Sequence, residues 1–373
     1  MKIYLVGGAV RDQQLKIPMV DKDWLVVGAT VQQMLDLGYT QLDAEFPVFN
    51  HPETGEEYAL ARTEIKQGSG YKGFTIYAEP DVTLEQDLAR RDLTINAIAM
   101  DEQGNLIDPF HGIDDLRDGK LQHVTDAFVE DPIRLLRIAR FASVLGQYGF
   151  HTSHSTFKLL KKMSVNDELK LVKPERFYNE MNKALAAQQP WQFFKLLGKS
   201  GALDLLLPNS NRWINGEVMA HGEDSPSIRA LRKVSELSAD VSVRLMTVMF
   251  NAMTTGCFDL AKYLPLSKSA MMLMEGLISQ YEIIIESMDA KLILQSLEHL
   301  GAFRQSERLE NTLLILSAVF EHKKDRIDKI RAIYKELLNL SAEKLIQQGF
   351  SGAELGQEIS RQRITKIDQL LAE

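Results

Sequence analysis

A paired glycine, Gly7-Gly8, closes the apolar run KIYLV, and Asp21 and Asp23 follow it within the length of one short helix. A strand that ends in two glycines places bare backbone N–H groups at the start of a helix, which suits a phosphate. Asp21 and Asp23 open a second apolar run, DWLVVG, and residues two apart on a strand point the same way. Two carboxylates on one strand face beside a phosphate cradle are what two-metal nucleotidyl transfer requires. Taken singly, the glycines read equally well as a tight turn and the aspartates as a surface pair. Their order and close spacing favour the chemistry.

The chain is long enough, at 373 residues, for two or three domains, and its 45% apolar content supports real cores. A single cysteine, Cys257, excludes an internal disulfide and fits a reducing compartment. The N-terminus runs straight into the glycine turn, leaving no room for a signal peptide. No apolar run is long enough to span a membrane. A cytoplasmic location is expected; the sequence leaves the oligomeric state open, with a monomer slightly favoured. The net charge of −8 argues mildly against a nucleic-acid partner over the whole surface. Basic residues nevertheless cluster locally: Arg90-Arg91; Arg134, Arg137 and Arg140; Lys158, Lys161 and Lys162; and Lys170, Lys173 and Arg176. The lysine sets read as solvated helix faces.

Up to about residue 125, strand-like runs (KIYLVGG, DWLVVG, EYALART, FTIYAE) mix with helical ones (VQQMLDLG, LEQDLARRDLTINAIAM). LIDPFHGIDDLRDGKLQHV reads as a turn, a short helix and a closing strand. Beyond about residue 130 nearly every segment has helical period, punctuated by prolines. The expected class is α+β, a small head followed by a long all-helical region. The polar stretch NSNRWINGEVMAHGEDSPS reads as a linker or loop between helical subdomains.

Three further blocks carry chemistry. In Arg90-Arg91-Asp92-Leu93-Thr94-Ile95-Asn96-Ala97, a helix puts Asp92 and Asn96 on one face, and adjacent guanidinium forks match a triphosphate. In Glu130-Asp131-Pro132-Ile133-Arg134-Leu135-Leu136-Arg137-Ile138-Ala139-Arg140, Asp131 and Pro132 make a well-formed helix start. Capping alone does not ask for arginines at 134, 137 and 140. Asp131 and Arg134 together present an acceptor and a donor fork to a base edge. In Arg62–Gly73, three glycines and a serine form either a mobile loop or a long hairpin connection.

The GGAVRD turn, the DKD carboxylates, RRDLTINA and EDPIRLLR stand in the order found in the class II tRNA nucleotidyltransferases, the bacterial CCA-adding enzymes, and the chain resembles that family closely over roughly its first 200 residues. The resemblance implies a polymerase-β-like nucleotidyltransferase head at 1–125. It further implies a helical neck at 126–185, a helical body at 186–330 and a helical tail at 331–373. It implies that Asp21 and Asp23 are the catalytic, Mg²⁺-binding pair. By the same likeness Gly8, Arg11, Arg91, Asp92, Asn96, Arg137 and Arg140 form the nucleotide site, and Asp131 with Arg134 reads the Watson–Crick edge of CTP or ATP. The implied reaction adds CCA to the 3′ end of tRNA, with release of pyrophosphate. The loop around Gly68–Gly73 resembles the element linked to switching from C to A addition.

One departure stands out. Longer members of the family carry an HD phosphohydrolase domain, whose metal site needs a His-Asp pair. This chain has 8 histidines and no His-Asp dipeptide, and Asn251-Ala252 occupies the corresponding place in DVSVRLMTVMFNAMTTG. A degenerate helical domain without phosphohydrolase activity is expected. The tail QQGFSGAELGQEISRQRI resembles the family's C-terminal segment and suggests a complete chain. The rival readings are a poly(A) polymerase of the same superfamily and a non-catalytic RNA-binding protein that has kept the fold.

Overall fold

The structure is a computed structural model that describes residues 1–19, 22–43, 46–68, 73–216, 224–255, 259–340 and 342–372. The chain divides into two compact units, Met1–Leu206 and Leu207–Glu373.

The first unit begins with β1 (Lys2–Val6), α1 (Gly8–Gln14), β2 (Asp23–Val27) and α2 (Val31–Asp36). β3 (Thr40–Gln41), β4 (Val48–Asn50), β5 (Glu57–Leu60), β6 (Thr63–Lys66) and β7 (Phe74–Tyr77) follow. Then come α3 (Leu84–Ala89), β8 (Ala99–Met100), β9 (Leu106–Ile107), α4 (Gly112–Arg117) and β10 (Lys120–Leu121). Among the described residues, seven strands form one sheet in the order β3-β4-β5-β2-β1-β8-β9. β1 and β2 pair antiparallel, with Val6 opposite Asp23, whereas β2 and β5 run parallel, with Asp23 opposite Glu57. The two-residue period of β2 sorts its side chains: Leu25 packs with Val6, Leu88 and Ala99, and Val26 packs on the other face with Met34, Phe49 and Tyr58. Thr30 and Thr83 cap α2 and α3, each with a reciprocal bond from the glutamine three residues on.

The Arg62–Gly73 segment is a hairpin at its base, β6 pairing antiparallel with β7. The loop assigned to 68–73 falls mostly on residues 69–72, outside the described residues.

The expected helix through RRDLTINA is not there. α3 ends at Ala89, Leu93 bridges to His123, and only Thr94–Asn96 make a single tight turn. Residues 92–99 are buried without a break, whereas a surface helix buries only one face, and the β-branched residues at 94 and 95 disfavour continuing α3. Asp92 and Asn96 meet all the same, with the Asn96 amide donating to Asp92 Oδ1 at 3.0 Å.

α5 (Ile133–Leu145) opens the helical part of this unit. Asp131 caps it as expected, its Oδ1 accepting from the Ile133 N–H at 3.0 Å. β11 (His151–Thr152), α6 (His154–Ser164), α7 (Pro174–Leu185), α8 (Trp191–Ser200) and α9 (Leu203–Leu206) complete the unit. α5 packs on α7 and α8, burying Leu136, Ile138 and Leu145. The lysines of α6 at 158, 161 and 162 are exposed, opposite buried Leu159, Leu160 and Met163.

The second unit is helical: α10 (Asn211–Ile214), α11 (Pro226–Leu237), α12 (Val241–Thr254), α13 (Leu260–Tyr263) and α14 (Lys268–Glu286). α15 (Ala290–His299), α16 (Ser306–Val319), α17 (Lys324–Leu338), α18 (Ala342–Gln347) and α19 (Gly352–Ala372) follow. α11, α12 and α16 pack on one another, and Phe250 meets Tyr281 and Phe320 edge-on at 5.3 and 5.4 Å. Asn251 donates through Nδ2 to Ser227 Oγ at 3.0 Å and so links α12 to α11. Of the stretch read as a linker, residues 217–223 lie outside the described residues.

Gly112 carries a tight contact that positions the Thr94–Asn96 turn. A Cβ there would stand 2.2 Å from the Thr94 carbonyl oxygen. Gly112→Ala is expected to destabilise the protein by about 1–3 kcal/mol, the usual penalty of overpacking. A denaturant titration of wild type and variant checks this, and an unchanged midpoint refutes the contact.

Candidate active site

Ten of the eleven residues singled out in the sequence line one cleft of about 1170 Å³ in the first unit: Gly8, Arg11, Asp23, Arg91, Asp92, Asn96, Asp131, Arg134, Arg137 and Arg140. Asp21, the eleventh, lies outside the described residues. Nine basic and five acidic side chains line the cleft among the described residues. That local excess of four positive charges sits in a chain of net charge −8, so the whole-chain charge understates what this cleft attracts.

Gly7 ends β1 with φ of 71° and leads into α1. Its conformation suits glycine, and a Cβ there would meet Arg91 Nη1 at 2.8 Å. The first N–H groups of α1 have no carbonyl within the helix. Across the β1–β2 pair stands Asp23, at the first position of β2. Glu57 is beside it, at the first position of β5, and lines the same cleft. Carboxylate oxygens are the donors a hard divalent cation takes. Among the described residues no group of three or more such side chains forms a ready-made metal site.

Asp92 is the hub of the cleft's inner wall and is only 7% exposed. Its Oδ2 accepts from Arg137 Nε at 2.7 Å. Its Oδ1 accepts from the Asn96 amide and from the Leu93 N–H at 2.9 Å. Burial alone raises the pKa of a carboxyl, but Arg137, Asn96 and the Leu93 N–H outweigh it and hold Asp92 at about 2. Asn96 passes the chain on, its Oδ1 accepting from Arg11 Nη1 at 2.7 Å. Arg11, Arg137 and Arg140 then gather around one ring, Phe141, at 5.4, 5.8 and 4.1 Å from its centroid.

The other arginines are held in the same way. Arg140 Nε donates to Glu180 Oε2 at 2.7 Å, and Arg90 and Arg91 share the fully buried Asp87. Arg134 donates to the Arg90 carbonyl at 2.6 Å and to the Ala127 carbonyl at 3.3 Å. The step of three along α5 is therefore not a solvated basic stripe. Each of Arg134, Arg137 and Arg140 is fixed by a partner on another segment. Beside Arg134, burial pushes the Asp131 carboxyl up from its ordinary value, against the pull of the Ile133 N–H and of Arg134.

The sequence pattern alone left out Glu57, Asp87, Phe141 and Glu180. Two of them have a signal in hindsight. Glu57 opens EYAL as Asp23 opens DWLVV, and Asp87 precedes Arg90 and Arg91 by three and four residues in sequence. Phe141 and Glu180 have none, because their roles depend on how α5 and α7 pack.

Two predictions follow from this wall. Asp92 titrates near 2 when folded, against about 3.9 in an unfolded chain. Its contribution is fully present above about pH 4 and is lost as pH falls towards 2. The Arg137 side chain is 39% exposed, and water re-solvates it once freed. Asp92→Asn is therefore expected to cost about 1–3 kcal/mol at neutral pH, less than breaking a fully buried pair. Thermal melts of wild type and variant should converge as pH drops from about 4 to 2, and a constant gap rejects this account. Glu180→Gln removes the charge that orients Arg140. It is expected to weaken nucleoside triphosphate binding about three- to tenfold with Tm shifted by only a few degrees; a large fall in Tm with unaltered affinity makes Glu180 purely structural.

The same order of segments recurs in known proteins. Residues 3–122 match the family model described as the poly A polymerase head domain. Residues 149–214 match the one described as the probable RNA and SrmB-binding site of polymerase A. The multifunctional CCA protein of Thioalkalivibrio sulfidiphilus is 40% identical over 406 residues, covering 100% of this chain and 99% of that protein. That alignment is longer than this chain, so the relative has residues for which this chain has none. The fold is shared with the Thermotoga maritima CCA-adding enzyme solved with tRNA, at TM-score 0.70 and 19% identity over 100% of this chain and 90% of that one. It is shared also with the Bacillus stearothermophilus CCA-adding enzyme solved with CTP, at TM-score 0.64 and 21% identity over 98% and 89%. With its glycine turn, its carboxylate strand and its arginine-lined wall in one cleft, and with a full-length relative at this identity, the chain belongs to the class II family of CCA-adding tRNA nucleotidyltransferases.

Proposed function

We propose that this cleft adds C and A residues to the 3′ end of tRNA, using CTP and ATP. The observation that carries the reading is the placement of Asp23, of the Gly7-Gly8 turn and of Asp131 with Arg134 around one positively charged cleft. The three fit the three tasks of the reaction: transfer, phosphate binding and base choice.

The terminal ribose hydroxyl of the tRNA attacks the α-phosphorus of the nucleotide. A new phosphodiester bond forms and the bond to pyrophosphate breaks. Asp21 and Asp23 would hold Mg²⁺, and Glu57, in register with Asp23, is the further carboxylate we assign to this pair. Bound there, Mg²⁺ lowers the pKa of the attacking hydroxyl and neutralises charge on the departing pyrophosphate. Arg11 and Arg91 lie beside the glycine turn, where their guanidinium forks bind the triphosphate oxygens. Asn96 orients Arg11, and Asp92 orients Arg137. Asp131 offers acceptors and Arg134 donors to the base edge, selecting C or A without a template strand. Because backbone carbonyls fix Arg134, its donors are aimed before the nucleotide arrives. In this reading residues 1–125 carry out transfer and 126–185 choose the base. Residues 186–330 and 331–373 hold the tRNA.

The test is extension of a tRNA that ends at its discriminator base, in the presence of Mg²⁺, CTP and ATP, with the products sequenced. Products that end in CCA and stop support the reading. The head-domain match makes poly(A) polymerase the second reading, and long A tails on any RNA would establish it. Asp23→Ala is expected to cut incorporation of both nucleotides by about 10³-fold or more with RNA binding retained. Near-normal turnover in that variant removes Asp23 from the reaction. Arg134→Ala is expected to blur the choice between C and A more than it lowers stability. Unchanged selectivity with a lower Tm would leave it only a structural tie.

A further inference from the structure

The second unit holds a cleft of its own, about 790 Å³, formed by α15, α16, the segment joining them and α19. Arg304, Arg308 and Arg363 line it with Phe303, and Glu298 is the acidic side chain among them. In a chain of net charge −8, three guanidinium groups around one carboxylate repel one another unless something compensates them.

Their partners do not account for them. The Arg363 guanidinium carbon lies over the Phe303 ring, 3.6 Å from its centroid. Its Nε is buried and has no acceptor among the described residues. Its Nη1 is 3.9 Å from Glu298 Oε1, too far for a hydrogen bond. Arg308 is fixed, donating to the backbone carbonyls of Leu300 and His299. Arg304 is exposed. An arginine over a ring, one anchored by two backbone carbonyls and an exposed one thus bring their guanidinium groups to the same cleft, with little rotamer entropy left to lose in the first two. Such forks match the oxygens of a phosphate.

We propose that this cleft binds a phosphate group, supplied either by an RNA backbone or by a free polyphosphate. With RNA as the source, the inference rests on the function proposed above and adds a point of attachment in the second unit. Phosphate displaces Glu298 from Arg363, so that carboxylate opposes binding.

The test uses the full chain as wild type, Arg304→Ala, Arg363→Gln and Glu298→Gln, with two probes. The first is a tRNA lacking its CCA end, bound without nucleotide over a range of KCl concentrations and followed by fluorescence anisotropy. The second is pyrophosphate with Mg²⁺, followed by calorimetry. If RNA is the source, each arginine variant weakens tRNA binding by about tenfold and flattens the plot of log affinity against log salt by about 0.7–0.9. Glu298→Gln should then tighten binding. If a free polyphosphate is the source, the arginine variants lose one of two pyrophosphate sites while tRNA binding is unaltered. Should none of the variants change either probe, the proposal is overturned. Arg304 is exposed and its replacement is tolerated by the fold, so the test survives any loss of stability in Arg363→Gln. Failure of the wild type to bind tRNA would count against the proposed function, and the pyrophosphate measurement would still decide this cleft.

Discussion

The buried carboxylate of Asp92 is the interaction on which the first unit's cleft depends. It receives Arg137 from α5, Asn96 from its own segment and the Leu93 N–H, and through Asn96 it reaches Arg11 on α1. Three segments far apart in sequence therefore share one anion. Burying a charge is unfavourable unless it is paired and hydrogen-bonded, and here two of the three bonds Asp92 accepts fix side chains that line the cleft, Arg137 and Asn96. Without it, Arg137 keeps its charge but loses its direction, and Asn96 loses the bond that holds it against Arg11.

The same logic runs through the rest of that wall. Asp87 anchors Arg90 and Arg91, Glu180 anchors Arg140, and two backbone carbonyls anchor Arg134. An arginine that must bind an anion gains little from flexibility, because each rotor frozen on binding subtracts from affinity. Interior carboxylates hold the guanidiniums before a triphosphate arrives. The arrangement also explains how an acidic chain keeps a basic cleft. Around the cleft the acids serve as orienting partners, as Asp87, Asp92 and Glu180 do, or open β2 and β5, as Asp23 and Glu57 do. Phe141 adds a face against which three of the arginines rest without losing their charge.

Much of this was legible in the sequence, and the parts that were not share a cause. The glycine turn and the strand that Asp23 opens are local features, set by period and by backbone geometry, and they stand where the pattern puts them. The cap at Asp131 is equally local. The RRDLTINA segment misled because its two arginines continue the polar face of α3, while residues 92–99 are buried without a break. A bridge to His123 and the pocket under Gly112 decide the matter, and both come from distant sequence. Phe141 and Glu180 escaped notice for the same reason. Packing between α5 and α7 has no signature in any single window.

The second unit shows what a helical scaffold does at a position where a metal motif is expected from the family's longer members. Asn251 donates to Ser227 Oγ across α11 and α12, a neutral and partly buried pair. A metal-ligating His-Asp pair at such a place would leave charged or half-satisfied groups buried whenever the ion is absent. The neutral pair removes that dependence, so this part of the unit can pack without any ion. Ionic side chains concentrate instead at the far helices, where Arg304, Arg308 and Arg363 face a cleft rather than a core.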